Sequence, residues 1–140
     1  MNSGKTVFAQ LLQFLPSYEF NKCVIRYQGN YKVQTFSCWD QFLCMSFAQL
    51  TYRESLRDIE TCLNSHRQKL YHIGFHGQVS KSTLAYANET RDFRIYQDFG
   101  HILINIACQL YQDEDIGLDI KQAVYALDST TIDLCLSTFP

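Results

Sequence analysis

Apolar positions recur at three- and four-residue spacing in one segment after another, the pattern of helices that each bury one face. Residues 7–15 carry Phe8, Leu11, Leu12 and Leu15 in this register, and Pro16 closes the segment. Ser17 is a candidate cap for a second helix, with Phe20, Cys23, Val24 and Tyr27 on one side and Gly29 and Asn30 as its stop. Residues 31–36 read as a linker. Ser37 caps a third helix, with Asp40 in its first turn and Trp39, Phe42, Leu43, Phe47 and Leu50 as its inward stripe. A fourth helix is predicted over about 55–63, burying Leu56, Ile59 and Leu63.

Residues 64–79 break the rhythm with Gly74, Gly77, three histidines, Arg67 and Lys69. Ser80 then caps a short helix over 81–89, and Val79 and Leu84 occupy the positions of a hydrophobic staple. Leu84 and Ala87 face inward on this helix; Ser82, Tyr86 and Glu89 face outward. Asp92 is placed to cap the longest helix, which runs to about residue 112 on a stripe of Phe99, Ile102, Leu103, Ile106 and Leu110.

Past that point the period changes. Residues 113–121 form an acidic hinge. Residues 124–127 are a short apolar run ending in Asp128, followed by Ser129, Thr130 and Thr131, and a second apolar run over 132–136 is interrupted only by Asp133. This reads as strand, tight turn, strand. Two strands alone are marginal, so the tail is expected to need the rest of a sheet or another chain to be well ordered.

Composition narrows the class. An apolar content of 46% with 14% aromatics in 140 residues supports a packed core and argues against disorder. The net charge of −2 does not by itself advertise nucleic acid. Its distribution is uneven: residues 1–100 hold 11 Lys/Arg against 8 Asp/Glu, and residues 101–140 hold 1 against 6. A mildly basic body followed by an acidic tail fits a DNA-facing domain leading into a metal-binding one, and equally an ordinary solvated surface. No secretory pattern opens the chain and no apolar stretch approaches the roughly 18 residues of a membrane span. The 6 cysteines are therefore expected to be reduced, mostly buried thiols in a cytoplasmic protein.

Three groups of residues carry candidate chemistry. Asp128, a carboxylate at the end of a strand beside small hydroxyl residues, has the form of a Mg²⁺ or Mn²⁺ ligand in two-metal phosphoryl transfer; the plain alternative is a turn-starting Asp. The helix over 81–89 is short, polar and well capped, as a major-groove helix would be. On that reading Lys81, Ser82 and Tyr86 meet phosphates or base edges, and Arg91 and Arg94 meet backbone phosphates; the alternative is an ordinary solvated helix. A gap of about sixteen residues from the fourth helix makes this a stretched helix-turn-helix. Cys62 with His66, and His72 with His76, have spacing open to Zn²⁺, but no Cys-x-x-Cys accompanies them, and core and loop roles serve as well. Gly4-Lys5-Thr6 lacks the upstream glycine and strand of a phosphate-binding loop.

The wording of the tail, ALDSTTIDLCLS over 126–137, resembles the first catalytic motif of bacterial DDE transposases of the insertion-sequence-4 family. Residues 37–60 (SCWDQFLCMSFAQLTYRESLRDIE) and 81–96 (KSTLAYANETRDFRIY) resemble the helical domain that precedes it. The resemblance implies a mainly α chain: an N-terminal helical bundle over 1–112 with a helix-turn-helix-like unit, the hinge at 113–121, and at 122–140 the first one or two strands of a truncated ribonuclease-H-like α/β domain. It implies that Asp128 is the first of three catalytic carboxylates and that the full-length protein cleaves and joins DNA strands with Mg²⁺ or Mn²⁺. These 140 residues, with one of the three, are expected to bind DNA without cutting it and to hold no metal tightly. The implied partner is double-stranded DNA of the transposon terminal inverted repeats, in the cytoplasm of a bacterium at its nucleoid. A homodimer is left open and a membrane is not involved. Two alternatives stay open from the residues alone: a small helical protein-interaction module, and an inactive or repressor-like transposase remnant.

Overall fold

The computed structural model describes residues 6–66, 71 and 78–111. Among these residues the chain is helical, in the order α1 (Val7–Leu12), α2 (Ser17–Arg26), α3 (Cys38–Leu50), α4 (Leu56–Ser65), α5 (Lys81–Thr90) and α6 (Arg94–Leu110). The hinge at 113–121, the strands expected within 122–140, and Asp128 lie outside the described residues.

Side-chain caps start the interior helices where serine precedes an apolar run. Ser37 Oγ accepts from Asp40 N at 3.1 Å while Asp40 Oδ2 accepts from Ser37 N at 2.7 Å, a reciprocal box that satisfies two donors at once. Ser55 Oγ accepts from Asp58 N at 3.2 Å, and Ser80 Oγ from Thr83 N at 3.1 Å. The second helix differs from expectation: Ser17 is its first residue, and Pro16 precedes it without a side-chain cap. Asp92 fills its expected role one residue early, with Oδ1 accepting from Arg94 N at 3.0 Å.

Helix ends depart from the sequence reading for identifiable reasons. α1 stops at Leu12, because Gln13, Phe14 and Leu15 donate to the carbonyls three residues back, at 3.2 Å each, and Pro16 disfavours a helical residue before it. Phe14 is thrown outward and is exposed. At the end of α2, Gln28 takes the left-handed conformation at φ 51°. Its N–H bonds to Ile25 O at 3.1 Å, and the Gly29 N–H bonds to Val24 O at 2.9 Å. Gly29 is therefore not the left-handed residue. It is required for space: a Cβ there would stand 2.4 Å from Ile95 Cδ1 and 2.7 Å from Cys38 Sγ.

Two hydrophobic clusters share α3. One joins Phe8 of α1, Leu43, Cys44, Phe47 and Ala48 of α3, Ile59 and Leu63 of α4, and Leu84 and Ala87 of α5, with Phe36 and Val79 from the connections. The other joins Phe20, Cys23 and Val24 of α2 to Cys38, and to Ile95 and Phe99 of α6. Trp39 and Phe42 pack against both, which is why α3 is apolar on more than one side. Phe20 is the hub of the aromatic set, with ring centroids 5.0 Å from Phe99, 5.1 Å from Trp39 and 5.3 Å from Phe42. α2 lies along α6, and α4 along α5.

The expected inward stripes are partly realised. Leu43, Phe47, Ile59, Leu63, Leu84, Ala87 and Phe99 are buried, and Val79 joins Leu84 in one cluster as the staple requires. Leu50, Ile106 and Leu110 are exposed instead, and Ile95, which the stripe omitted, is fully buried. No helix among the described residues is long and apolar enough to cross a membrane.

Candidate nucleic-acid interface

Helix α5 is held by its inner side. Leu84 and Ala87 sink into the first cluster against α3 and α4. With residues 84 and 87 turned inward, the helical repeat leaves 82, 83, 86, 89 and 90 outside, and all of these are exposed. Lys81, Ser82 and Tyr86, three of the residues singled out from sequence, thus share the solvent side of α5. Tyr86 is 68% exposed. Ser82 Oγ lies 3.1 Å from Ser80 Oγ, so its hydroxyl is part of the cap cluster as well as of the surface.

Arg91 and Arg94 are placed differently. Arg91 turns inward: Nη1 donates to Ser37 O at 2.7 Å and to Gln41 Oε1 at 2.9 Å, Nη2 donates to Phe36 O, and the guanidinium lies 5.3 Å from the Phe36 ring centroid. It ties the end of α5 to the start of α3. Arg94 is on the surface but engaged, with Nη2 2.6 Å from Asp92 Oδ2 and its guanidinium 4.7 Å from the Tyr27 ring centroid. The Arg94 hydrogen bonds hold the Asp92 carboxyl below the usual carboxylate range. Of the five residues, the structure brings Lys81, Ser82 and Tyr86 together and assigns both arginines internal partners.

Gln41 is the polar residue that sequence reasoning passed over. It is 5% exposed, on the buried side of α3. Its Nε2 donates to Asn88 Oδ1 at 2.6 Å, and its Oε1 accepts from Arg91 and, at 2.7 Å, from the Tyr96 hydroxyl. One amide therefore joins α3, α5 and α6. Burial pushes the Tyr96 phenol upward, so it stays a neutral donor at physiological pH. Among the described residues, no buried side-chain nitrogen or oxygen lacks a partner.

Beside α5 runs a groove of about 540 Å³. One wall is the outer side of α5, through Thr83, Tyr86 and Thr90; the other is the 27–36 connection, which contributes Tyr31, Lys32, Gln34 and Thr35. The lining is mostly hydroxyl, amide and aromatic. Its one carboxylate, Asp92, is neutralised by Arg94.

Cys62 and His66 do not assemble a metal site with described neighbours: His66 Nδ1 lies 3.0 Å from Cys62 O and 2.9 Å from Ser65 Oγ. Among the described residues no group of three or more His, Cys, Asp or Glu is placed to hold a metal. His72 and His76 lie outside them. Cys44 is buried in the first cluster, and burial raises its thiol to about 12, the property of a packing cysteine and not of a nucleophile.

The described residues define a small helical domain whose last short helix offers a polar, aromatic-bearing surface. A family model for a domain of unknown function, DUF4372, matches residues 3–76, more than half of the chain, and the chain belongs to that family. The match spans α1 to α4 and the 27–36 connection; α5 follows it in sequence. No curated protein and no solved structure matches the chain.

Proposed function

We propose that the chain is the N-terminal region of a DDE transposase of the insertion-sequence-4 type, and that its helical domain binds transposon-end DNA through the outer side of α5. The observation that carries this reading is the division of labour within α5. Two apolar residues anchor the helix, and its outward side carries Lys81, Ser82, Thr83, Tyr86 and Thr90, groups that meet phosphates and base edges, together with one carboxylate, Glu89. The packing of α5 on α4 supports a helix pair in which the second member enters the major groove. The resemblance of residues 126–137 to the first catalytic motif supports Asp128 as a Mg²⁺ or Mn²⁺ ligand in the full-length enzyme. Asp128 and two further carboxylates of that enzyme would hold two such cations, whose chemistry would be activation of the attacking oxygen and stabilisation of the leaving one.

The test is fluorescence anisotropy of the 140-residue chain with a duplex bearing the element's terminal inverted repeat and with a mixed-sequence duplex, across a salt series. Both should bind at low salt, with log affinity falling linearly against log salt, and the inverted repeat should bind tighter. Lys81→Ala combined with Tyr86→Ala should weaken both. Absence of binding at low salt, or binding indifferent to that pair, contradicts the reading.

A second reading, a helical protein-interaction module, is favoured by one observation: Ile104, Ile106, Leu110 and Tyr111 at the end of α6 are exposed together. On that reading polar substitutions there abolish partner capture while changes on α5 leave it intact.

A further inference from the structure

We infer that the 27–36 connection is a second DNA-contacting element, a rigid wall that places Lys32 and Tyr31 against the phosphodiester backbone flanking the groove that α5 enters. This rests on the reading of α5 as a DNA-binding helix and extends it to a connection whose residues 31–36 read as a linker in the sequence.

The connection is built, not slack. Gln28 and Gly29 close α2 with two backbone bonds, Asn30 Oδ1 accepts from Cys38 N at 2.8 Å, and Tyr31 N bonds to Gln28 O at 2.9 Å. Arg91 then clamps its far end, through the carbonyls of Phe36 and Ser37, to the end of α5. The two walls of the groove are thereby held at a fixed separation, so a ligand seated on α5 meets the connection without further ordering.

Lys32 is the second observation. It adopts φ 57°, a left-handed conformation that glycine or asparagine takes at lower cost. The residue kept there is a cation, exposed, with Nζ 5.2 Å from the centroid of the Tyr31 ring. That ring is 69% exposed and Tyr86 is 68% exposed on the opposite wall. No unpaired carboxylate lines the groove to repel a phosphate, because Asp92 is held by Arg94. The occupant that fits a cation, two exposed phenols and a run of hydroxyls and amides, continuous with a helix carrying Lys81, is a sugar–phosphate strand.

The experiment measures dissociation constants of the 140-residue chain for a mixed-sequence DNA duplex across a salt series, for wild type, Lys32→Gly, Lys32→Asn, Lys32→Arg and Lys81→Ala/Tyr86→Ala. Glycine and asparagine both accept the left-handed backbone, so these variants should melt no lower than wild type. They should nevertheless bind on the order of five- to tenfold more weakly at about 0.1 M salt and lose about one from the salt slope, the loss of a single phosphate contact. Lys32→Arg should keep the slope. If wild type binds, the α5 pair weakens binding and both charge-removing Lys32 variants bind as wild type with an unchanged slope, the inference is overturned and the α5 reading stands. If wild type does not bind the duplex at low salt, the α5 reading fails and takes the inference with it.

Discussion

Helices α5 and α6 follow one another with only residues 91–93 between them, and they use apolar surface in opposite ways. α5 has little of it and buries what it has: Leu84 is 0% exposed, and Ala87 sits beside it in the same cluster. α6 is the longest and among the most apolar helices, yet among the described residues its cover is concentrated on the first half. Ile95 and Phe99 pack onto α2, while Ile104, Ile106 and Leu110 stand in solvent. Burial follows the partner that is present and not the supply of hydrophobic residues. α2 is 10 residues long and α6 is 17, so the shorter helix cannot shield the longer along its whole length. α5, by contrast, has α3 and α4 beneath it.

The largest effect expected from this comparison is on stability. Leu84→Ala should cost about 2–5 kcal/mol, because it opens a cavity under α5, whereas Leu110→Ala should change stability by less than about 0.5 kcal/mol. Chemical denaturation of both variants checks the pair, and a large loss from Leu110→Ala would mean that the end of α6 is covered after all. Next come the ties at the two ends of the contrast. Arg91→Met should cost about 1–3 kcal/mol, because it strips donors from the Phe36 and Ser37 carbonyls. Gly29→Ala should cost about 1–3 kcal/mol through overpacking, because the added Cβ forces the buried Ile95 and Cys38 side chains to shift. Differential scanning calorimetry of each, with the matching Gly100→Ala as a control that meets open space, separates strain from any loss of glycine flexibility.

The smallest effect concerns the joint between the helices. The Asp92 carboxyl is depressed by its hydrogen bonds from Arg94, so the ion pair contributes above the carboxylate's ordinary value and is lost as pH falls through the lower, folded value. Because the pair is exposed, the contribution is small. Thermal melts between about pH 7 and pH 3 should show wild type losing slightly more stability on acidification than Asp92→Asn. Parallel curves would remove the pair from the account.

Much of this was legible before any coordinates. Ser37 and Ser80 each begin a helix with the hydroxyl on a backbone N–H, as small polar residues before an apolar run should; Ser55, read as the first residue of the fourth helix, caps it instead. The inward pair on α5 and the Val79–Leu84 staple follow from period alone. Other features were hidden because their cause is tertiary. Gln41 looks like a surface amide until Arg91, Asn88 and Tyr96 surround it from two other helices. Arg91, read as a phosphate ligand, directs its guanidinium to three carbonyl-type acceptors, Ser37 O, Phe36 O and Gln41 Oε1. Gly29 has the composition of a helix stop but is set by the approach of α6, some sixty-six residues away, and Gln28 takes the strained position that a glycine was expected to fill. The groove beside α5 needed the 27–36 connection to fold back, which no local pattern announces.

On the proposed reading the outer side of α5, and not the exposed end of α6, meets the DNA. The direct measurement is a ¹⁵N–¹H NMR titration of the 140-residue chain with an inverted-repeat duplex. Amides over residues 81–90 and 28–35 should shift or broaden, with little change over 104–111. Perturbations confined to 104–111, or none at all, would contradict that reading.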